Sequence, residues 1–283
     1  MIIAIASGKG GTGKTTVATN LALSLGNAQY IDCDVEEPNG YIFLNPKIRE
    51  IKTVYLPTPK VDQDKCSYCG ACAEFCQFNA LAVIKDKVLI FPELCHGCGG
   101  CVLACPDSAI TEENRAIGVV EKGNSSNLAF VQGKLNVGEP MATPIVAATK
   151  DEIDSERTAI VDVPPGTDCP VIEGLRGSDF SILVTEPTPF GLYDLRLAVD
   201  LVRLLNIPFG VVINRSGPND VLIEKYCEEE SIPVLLKIPY QRDIAVLYSK
   251  GIPLIKADPK WKDCFSGLFR SIEEEINETA HRN

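Results

Sequence analysis

The sequence predicts an α/β fold, a doubly wound, mostly parallel sheet interrupted by a small α+β insertion. Strand-like apolar runs alternate with helical stripes through the second half of the 283-residue chain. A glycine-rich turn joins the first strand to the first helix. A cysteine phrase written twice, between Cys66 and Cys105, breaks the alternation. Residues 1–59 and 113–283 are therefore read as two parts of one α/β domain, and 60–112 as the insertion.

Bulk properties narrow the class. Hydrophobic content of 45% is that of an ordinary globular protein. A net charge of −11 argues against a sequence-independent grip on DNA or anionic lipid, so no direct nucleic-acid or membrane contact is expected. No stretch approaches the ~20 apolar residues of a membrane span. Met1–Ala6 is apolar without a basic flank, so it reads as a strand and not a signal peptide. Cysteines without a leader point to a reducing, cytoplasmic setting.

The first strand runs into Ser7-Gly-Lys-Gly-Gly-Thr-Gly-Lys-Thr-Thr16, in which Gly8-x4-Gly13-Lys14-Thr15 fulfils the P-loop pattern in its strand-to-helix context. Glycine-rich backbone turns its N–H groups toward phosphate, and the helix N-terminus adds positive potential. In that motif Lys14 reaches the β/γ-phosphates and Thr15 offers a hydroxyl to Mg²⁺. Val17, Leu21, Ala22 and Leu25 give the following helix an apolar stripe.

The phrase from Lys9 to Thr16 resembles the deviant Walker A of the MinD/ParA ATPases. That resemblance implies ATP cradled by Gly8, Lys9, Gly10, Gly11, Thr12, Gly13, Lys14, Thr15 and Thr16. It implies further that Lys9 crosses a nucleotide-sandwich dimer to the partner's phosphates; otherwise Lys9 is a solvated loop lysine. Tyr30-Ile-Asp-Cys-Asp34 ends a strand in carboxylates. In the resemblance Asp34 belongs to switch I, where it joins Lys9 and Lys14 in catalysis and the Mg²⁺ shell. Glu36 and Glu37 read equally well as solvated charges. Asp162, at the end of Thr158–Val163, and the following Pro164-Pro165-Gly166 look like Walker B and switch II. Asp162 would hold Mg²⁺ through water, and the Gly166 N–H would sense the γ-phosphate. Asn214 and Arg215 resemble the adenine-reading strand end, and Ile238-Pro239-Tyr240 the second base-flanking loop.

The insertion opens after Leu56-Pro57-Thr58-Pro59-Lys60, which reads as a proline-rich linker. Its first run is Cys66-x2-Cys69-x2-Cys72-x3-Cys76, and the second is Cys95-x2-Cys98-x2-Cys101-x3-Cys105. Each cysteine stands at the same offset from its counterpart, as do Gly70 and Gly99, and Ala80 and Ala109. A zinc site needs four ligands, typically two CxxC pairs, and does not explain four cysteines twice over. A disulfide framework needs an oxidising compartment. The phrase resembles the two-cluster bacterial ferredoxin, in which the fourth cysteine of each run ligates the other run's cluster. The resemblance implies Cys66, Cys69, Cys72 and Cys105 on one 4Fe–4S cluster, and Cys76, Cys95, Cys98 and Cys101 on the other. Gln77 stands where the usual run has proline, a turn-shaping residue and not a ligand.

Leu81–Ile90 reads as a β-hairpin turning at 85–87, and 115–136 as two or three strands over the insertion or a dimer face. Strands are expected at 158–163, 180–185, 207–213 and 233–238. Helices are expected near 170–176, 190–205, 219–230, 241–250 and 260–277. In the last helix, Trp261, Phe265, Leu268, Phe269, Ile272 and Ile276 form a stripe that fits packing on the sheet, while Glu273–Glu275 suit a membrane surface poorly. Cys33, Cys169, Cys227 and Cys264 read as lone thiols.

Over nearly its full length the chain is similar to MinD-superfamily ATPases that contain an inserted ferredoxin domain. The resemblance implies a slow, partner-stimulated ATPase with ATP, Mg²⁺ and two clusters. Its partners would be a second copy or a related ATPase, and a redox or iron–sulfur protein. The favoured reading is a device in which nucleotide-driven dimer closure is coupled to electron transfer or redox-partner docking. Two others stand beside it, an Mrp-like iron–sulfur carrier and a positioning ATPase acting through a protein partner.

Overall fold

The structure, a computed structural model, describes residues 1–282, with side chains through residue 277. The chain opens with β1 (Ile2–Ala6), α1 (Lys14–Ser24), β2 (Ala28–Asp32), α2 (Gly40–Leu44) and the long β3 (Lys47–Val61). The insertion holds α3 (Ala71–Phe75), β4 (Leu81–Ile84), β5 (Lys87–Ile90) and α4 (Gly100–Ala104). The chain returns through β6 (Ile110–Ser125) and β7 (Leu128–Leu135), then α5 (Thr143–Lys150), β8 (Thr158–Asp162) and α6 (Cys169–Leu175). It continues with β9 (Phe180–Thr185), α7 (Pro189–Leu204), β10 (Phe209–Ser216), α8 (Val221–Glu229) and β11 (Val234–Pro239). Three helices close it: α9 (Arg242–Ser249), α10 (Leu254–Ala257) and α11 (Lys260–Arg282).

Nine strands form one sheet in the order β11-β10-β9-β1-β8-β2-β7-β6-β3. Pairing is parallel from β11 to β7 and antiparallel through β6 and β3. Helices cover both faces, so the inner strands are mostly apolar and buried on both sides instead of alternating. Ala4 and Ala6 join the core on one face; Ile3 and Ile5 join the other. The α11 stripe belongs to that second core, with Phe265 and Ile272 fully buried, so its apolar face lies inside the fold. Among the described residues no helix is long and apolar enough to cross a membrane.

Three expectations change. Leu56–Lys60 is strand, not linker, so the 59/60 and 112/113 boundaries fall inside β3 and β6. Proline survives there because β3 is the sheet edge, and Pro57 and Pro59, two residues apart, place both missing N–H groups on one side. Residues 115–136 do not cover the insertion; they extend the main sheet as β6 and β7. The hairpin turns at Lys85-Asp86, with Ile84 opposite Lys87. Its residues join a satellite core of their own, built on Cys72, Ala80, Leu81, Val88, Cys95, Cys101 and Ile110.

Candidate functional site

The parallel strands deliver their carboxyl ends to one rim, where β1 stands between β8 and β9. Such a rim is where doubly wound sheets bind ligands. A cavity of about 500 Å³ opens there, lined by Gly10, Gly11, Gly13, Lys14, Thr15 and Thr16 on one side. Asp34–Glu37 and the segment from Pro239 to Tyr248 contribute other walls. Gly13 is left-handed (φ 98°), and a Cβ there would lie 2.1 Å from Asn214 Nδ2. Only glycine lets β10 press so close to the loop. Gly8 is equally constrained, since a Cβ would meet the Asp194 carbonyl oxygen of α7 at 2.1 Å.

Several expected site residues are placed differently. Lys9 does not line the cavity of its own chain, and its carbonyl accepts the Ser7 hydroxyl at 2.6 Å. Gly8, Thr12, Asp162 and Gly166 also lie outside the lining. The Gly166 N–H, expected to face a phosphate, donates to the Ser7 carbonyl at 3.0 Å. Asn214 lines the cavity, yet its Nδ2 donates to the Thr12 carbonyl (2.8 Å) and its Oδ1 accepts the Arg215 N–H (2.9 Å). In this conformation its amide ties β10 to the phosphate-type loop. Arg215 pairs with Glu186 at 2.8 Å.

Behind the loop stand three carboxylates and a tyrosine. Asp32 and Asp162 are register partners on neighbouring strands, and both are fully buried. Burial, and for Asp32 the nearby Asp162 charge, raise their proton affinity above the ordinary carboxylate range. Lys14 and the Thr15 hydroxyl draw Asp162 back down. One oxygen of Asp162, Oδ1, is buried with no hydrogen-bond partner. A bare carboxylate oxygen beside a threonine hydroxyl and a lysine fits a hard cation such as Mg²⁺.

Asp34 is partly buried, and its carboxyl is pushed up to about 6, chiefly by burial and against the pull of Lys14. Below the ordinary carboxylate range both the folded and unfolded chains keep this proton. As pH rises toward 6 the unfolded chain releases it first, so the nucleotide-free protein loses stability across that window. Asp34→Asn is expected to remove this loss and stabilise the protein by about 2 kcal/mol at neutral pH. Urea unfolding at several pH values checks it; parallel profiles for the two proteins would contradict it.

In the insertion, Gly70 (φ 84°) and Gly99 (φ 69°) start α3 and α4 at equivalent points of the two runs. The Ala80 N–H points at Cys76 Sγ (3.4 Å), and its counterpart Ala109 at Cys105 Sγ (3.3 Å). Burial raises the Cys72 thiol, and Cys66 and Cys105 lie near enough to add to that. Burial likewise pushes Cys101 up to about 11, with Cys95 and Cys98 beside it. A small cavity is lined by Cys76 of the first run together with Cys95, Cys98 and Cys101 of the second. Thiols are thus grouped across the runs. All twelve cysteines are free, and no three His, Cys, Asp or Glu side chains among the described residues converge on a single-ion site.

One pair joins the two regions. Arg115 of β6 pairs with the half-buried Glu139 and donates to the Pro92 carbonyl (3.1 Å), three residues before Cys95. Glu139 also accepts the Met141 N–H (3.2 Å), and the next residue, Ala142, lines the large cavity.

The pattern of the CobQ/CobB/MinD/ParA nucleotide binding domain matches residues 3–254. The chain belongs to that family. An uncharacterised protein of Methanocaldococcus jannaschii is 35% identical over 98% of this chain and 97% of its own length. An iron-sulfur cluster carrier protein of Pseudomonas fragi is 26% identical, covering 91% of this chain and 79% of its own. The solved septum site-determining protein MinD of Pyrococcus horikoshii, complexed with Mg-ADP, superposes with a TM-score of 0.59. That match covers 94% of this chain and 93% of the other at 19% identity, so it speaks to the fold. The matched span contains the residues that line the large cavity.

Sequence reading missed Tyr30, Asp32, Gly40, Arg115 and Glu139. Tyr30 and Asp32 carried a signal, being two apart on a strand and so on one face. No local pattern pairs Arg115 with Glu139, because 24 residues separate them.

Proposed function

We propose that the chain is an ATP-hydrolysing nucleotide switch that carries two 4Fe–4S clusters and couples its nucleotide state to electron transfer or redox-partner docking. The observation that carries the coupling is Arg115, held by Glu139 on the nucleotide side and bonded to Pro92 on the cysteine side.

At the nucleotide, Lys14 supplies positive charge to the β/γ-phosphates, and loop N–H groups of Gly10, Gly11 and Gly13 bind phosphate oxygen. Thr15, Asp34 and Asp162 would hold Mg²⁺, and the ion would neutralise charge on the terminal phosphates. Asp34 orients the attacking water. Lys9, which does not line its own cavity, reaches the phosphates of a second copy or a related ATPase in a closed dimer. Adenine lies toward Asn214, Arg215 and Pro239, and the Gly166 N–H turns to the γ-phosphate only after leaving Ser7.

For the clusters, the crossed grouping of thiols supports Cys66, Cys69, Cys72 and Cys105 on one and Cys76, Cys95, Cys98 and Cys101 on the other. A cluster's thiolates surround a body larger than one ion, and they need backbone N–H groups aimed at sulfur, which Ala80 and Ala109 give. Bound clusters supply one-electron chemistry whose potential follows charge, hydrogen bonding and exposure.

A second reading, an iron–sulfur carrier, is favoured by relatives of that name. Chelation separates the two. Electron-transfer clusters stay bound under mild chelator, whereas carried clusters leave on mixing with an apo-acceptor. Glu139→Gln tests the coupling. It is expected to leave iron content and ATP binding in place and to reduce any effect of MgATP on the clusters. An unchanged effect would remove Arg115 and Glu139 from the path.

A further inference from the structure

We propose that Tyr30 is a positioning residue for the metal site, holding Asp162 so that a single carboxylate oxygen faces the cation, and tying that carboxylate to the switch I loop. The inference rests on the reading of the large cavity as a Mg²⁺–nucleotide site.

Tyr30 is fully buried in β2, with its ring stacked on Phe130 (centroids 5.8 Å apart, 16° between planes). Its hydroxyl donates to Asp162 Oδ2 at 2.9 Å and lies 3.4 Å from Asp32 Oδ2. Asp162 Oδ1 is left without a protein partner, and the Thr15 hydroxyl lies beside this carboxylate. Asp32 in turn accepts the Asp34 N–H through Oδ1 (3.2 Å) and the Gly40 N–H through Oδ2 (3.0 Å). One buried carboxylate therefore clasps both ends of the 34–40 loop, whose residues Asp34, Glu36, Glu37 and Asn39 line the cavity.

Gly40 completes the arrangement, because a Cβ there would stand 2.3 Å from the Tyr30 hydroxyl oxygen. An apolar residue at position 30 would fill the core equally well. The phenol is worth its buried hydroxyl only if that hydroxyl has a task, since a buried polar group without a partner is costly. Here the task is to fix the rotation of Asp162 and, through Asp32, the distance from the metal carboxylate to the loop. Hydrogen-bonding partners behind a metal ligand typically set 10–100-fold in metal affinity.

The test uses the full-length protein with ADP and Mn²⁺ as the spectroscopic stand-in for Mg²⁺. Tyr30→Phe keeps the ring and its stack, and Gly40→Ala keeps the hydroxyl but crowds it. Both are expected to weaken Mn²⁺ binding, read by electron paramagnetic resonance, by about tenfold. ADP affinity in chelator should stay within twofold of wild type. Unchanged Mn²⁺ affinity in both variants, with only a lowered melting temperature, would show that Tyr30 merely fills the core. If Tyr30→Phe does not fold, Gly40→Ala decides alone. A wild-type protein that binds ADP but not Mn²⁺ would overturn the proposal and keep the nucleotide reading. One that binds neither would overturn both.

Discussion

Lys14→Ala is expected to lower ATP turnover to background, a loss of about 10²–10³-fold or more, while bound iron stays constant. Lys14 is 6% exposed at the start of α1, so its ammonium is fixed by packing before any ligand arrives. It is the cation whose charge reaches both Asp34 and Asp162. Its removal withdraws charge from the phosphates and leaves two carboxylates to repel them, so binding and chemistry suffer together. Iron should be untouched because the satellite core around the cysteine runs shares no residue with the cavity lining. Phosphate release and iron assay on one preparation check it. Iron loss in this variant would mean the two regions do not hold their ligands independently.

Cys105→Ser is expected to remove about half of the iron, from the first cluster, although Cys105 belongs to the second run. Cys105 lies beside Cys72 and Cys66, whereas Cys76 joins Cys95, Cys98 and Cys101 around the small cavity. Spectra of Cys105→Ser should match those of Cys66→Ser, and Cys76→Ser should match Cys98→Ser. Matching within each run would instead mean that the ligands do not cross. ATP turnover in all four variants should stay near wild type.

Much of this architecture was legible because it depends on local rules. Lys14 and Thr15 stand in a strand-to-helix turn that few backbones other than a phosphate loop produce. The stripe from Trp261 to Ile276 has one period and one buried face, so its helix and its side could both be read. The 81–90 hairpin follows from apolar runs on either side of a charged turn.

What failed depended on position in the sheet. Pro57 and Pro59 signal a linker unless the strand is known to lie at an edge, which no local pattern records. β6 was obscured by Gly118 and Gly123, which look like turns. Each lets a neighbouring backbone approach, since a Cβ at Gly118 would meet the Lys134 carbonyl oxygen at 2.3 Å and one at Gly123 that of Lys47 at 2.3 Å. Family patterns also assign roles without conformations. Gly166 and Asn214 sit in the expected motifs, yet each spends its hydrogen bond on the protein itself. Asp32 stands two residues before Asp34 and four before Glu36, and its register pairing with Asp162 on β8 marks it as the buried clasp.

The proposed switch requires that nucleotide and clusters be linked through one chain. The direct measurement is the reduction potential of the clusters, by anaerobic titration followed by electron paramagnetic resonance, with and without MgATP. A shift of 59 mV corresponds to tenfold in a one-electron equilibrium. A reproducible shift of at least half that size is expected, diminished in Glu139→Gln. Identical potentials in both conditions, with both clusters stably bound, would contradict it and leave the nucleotide as a switch for partner binding alone.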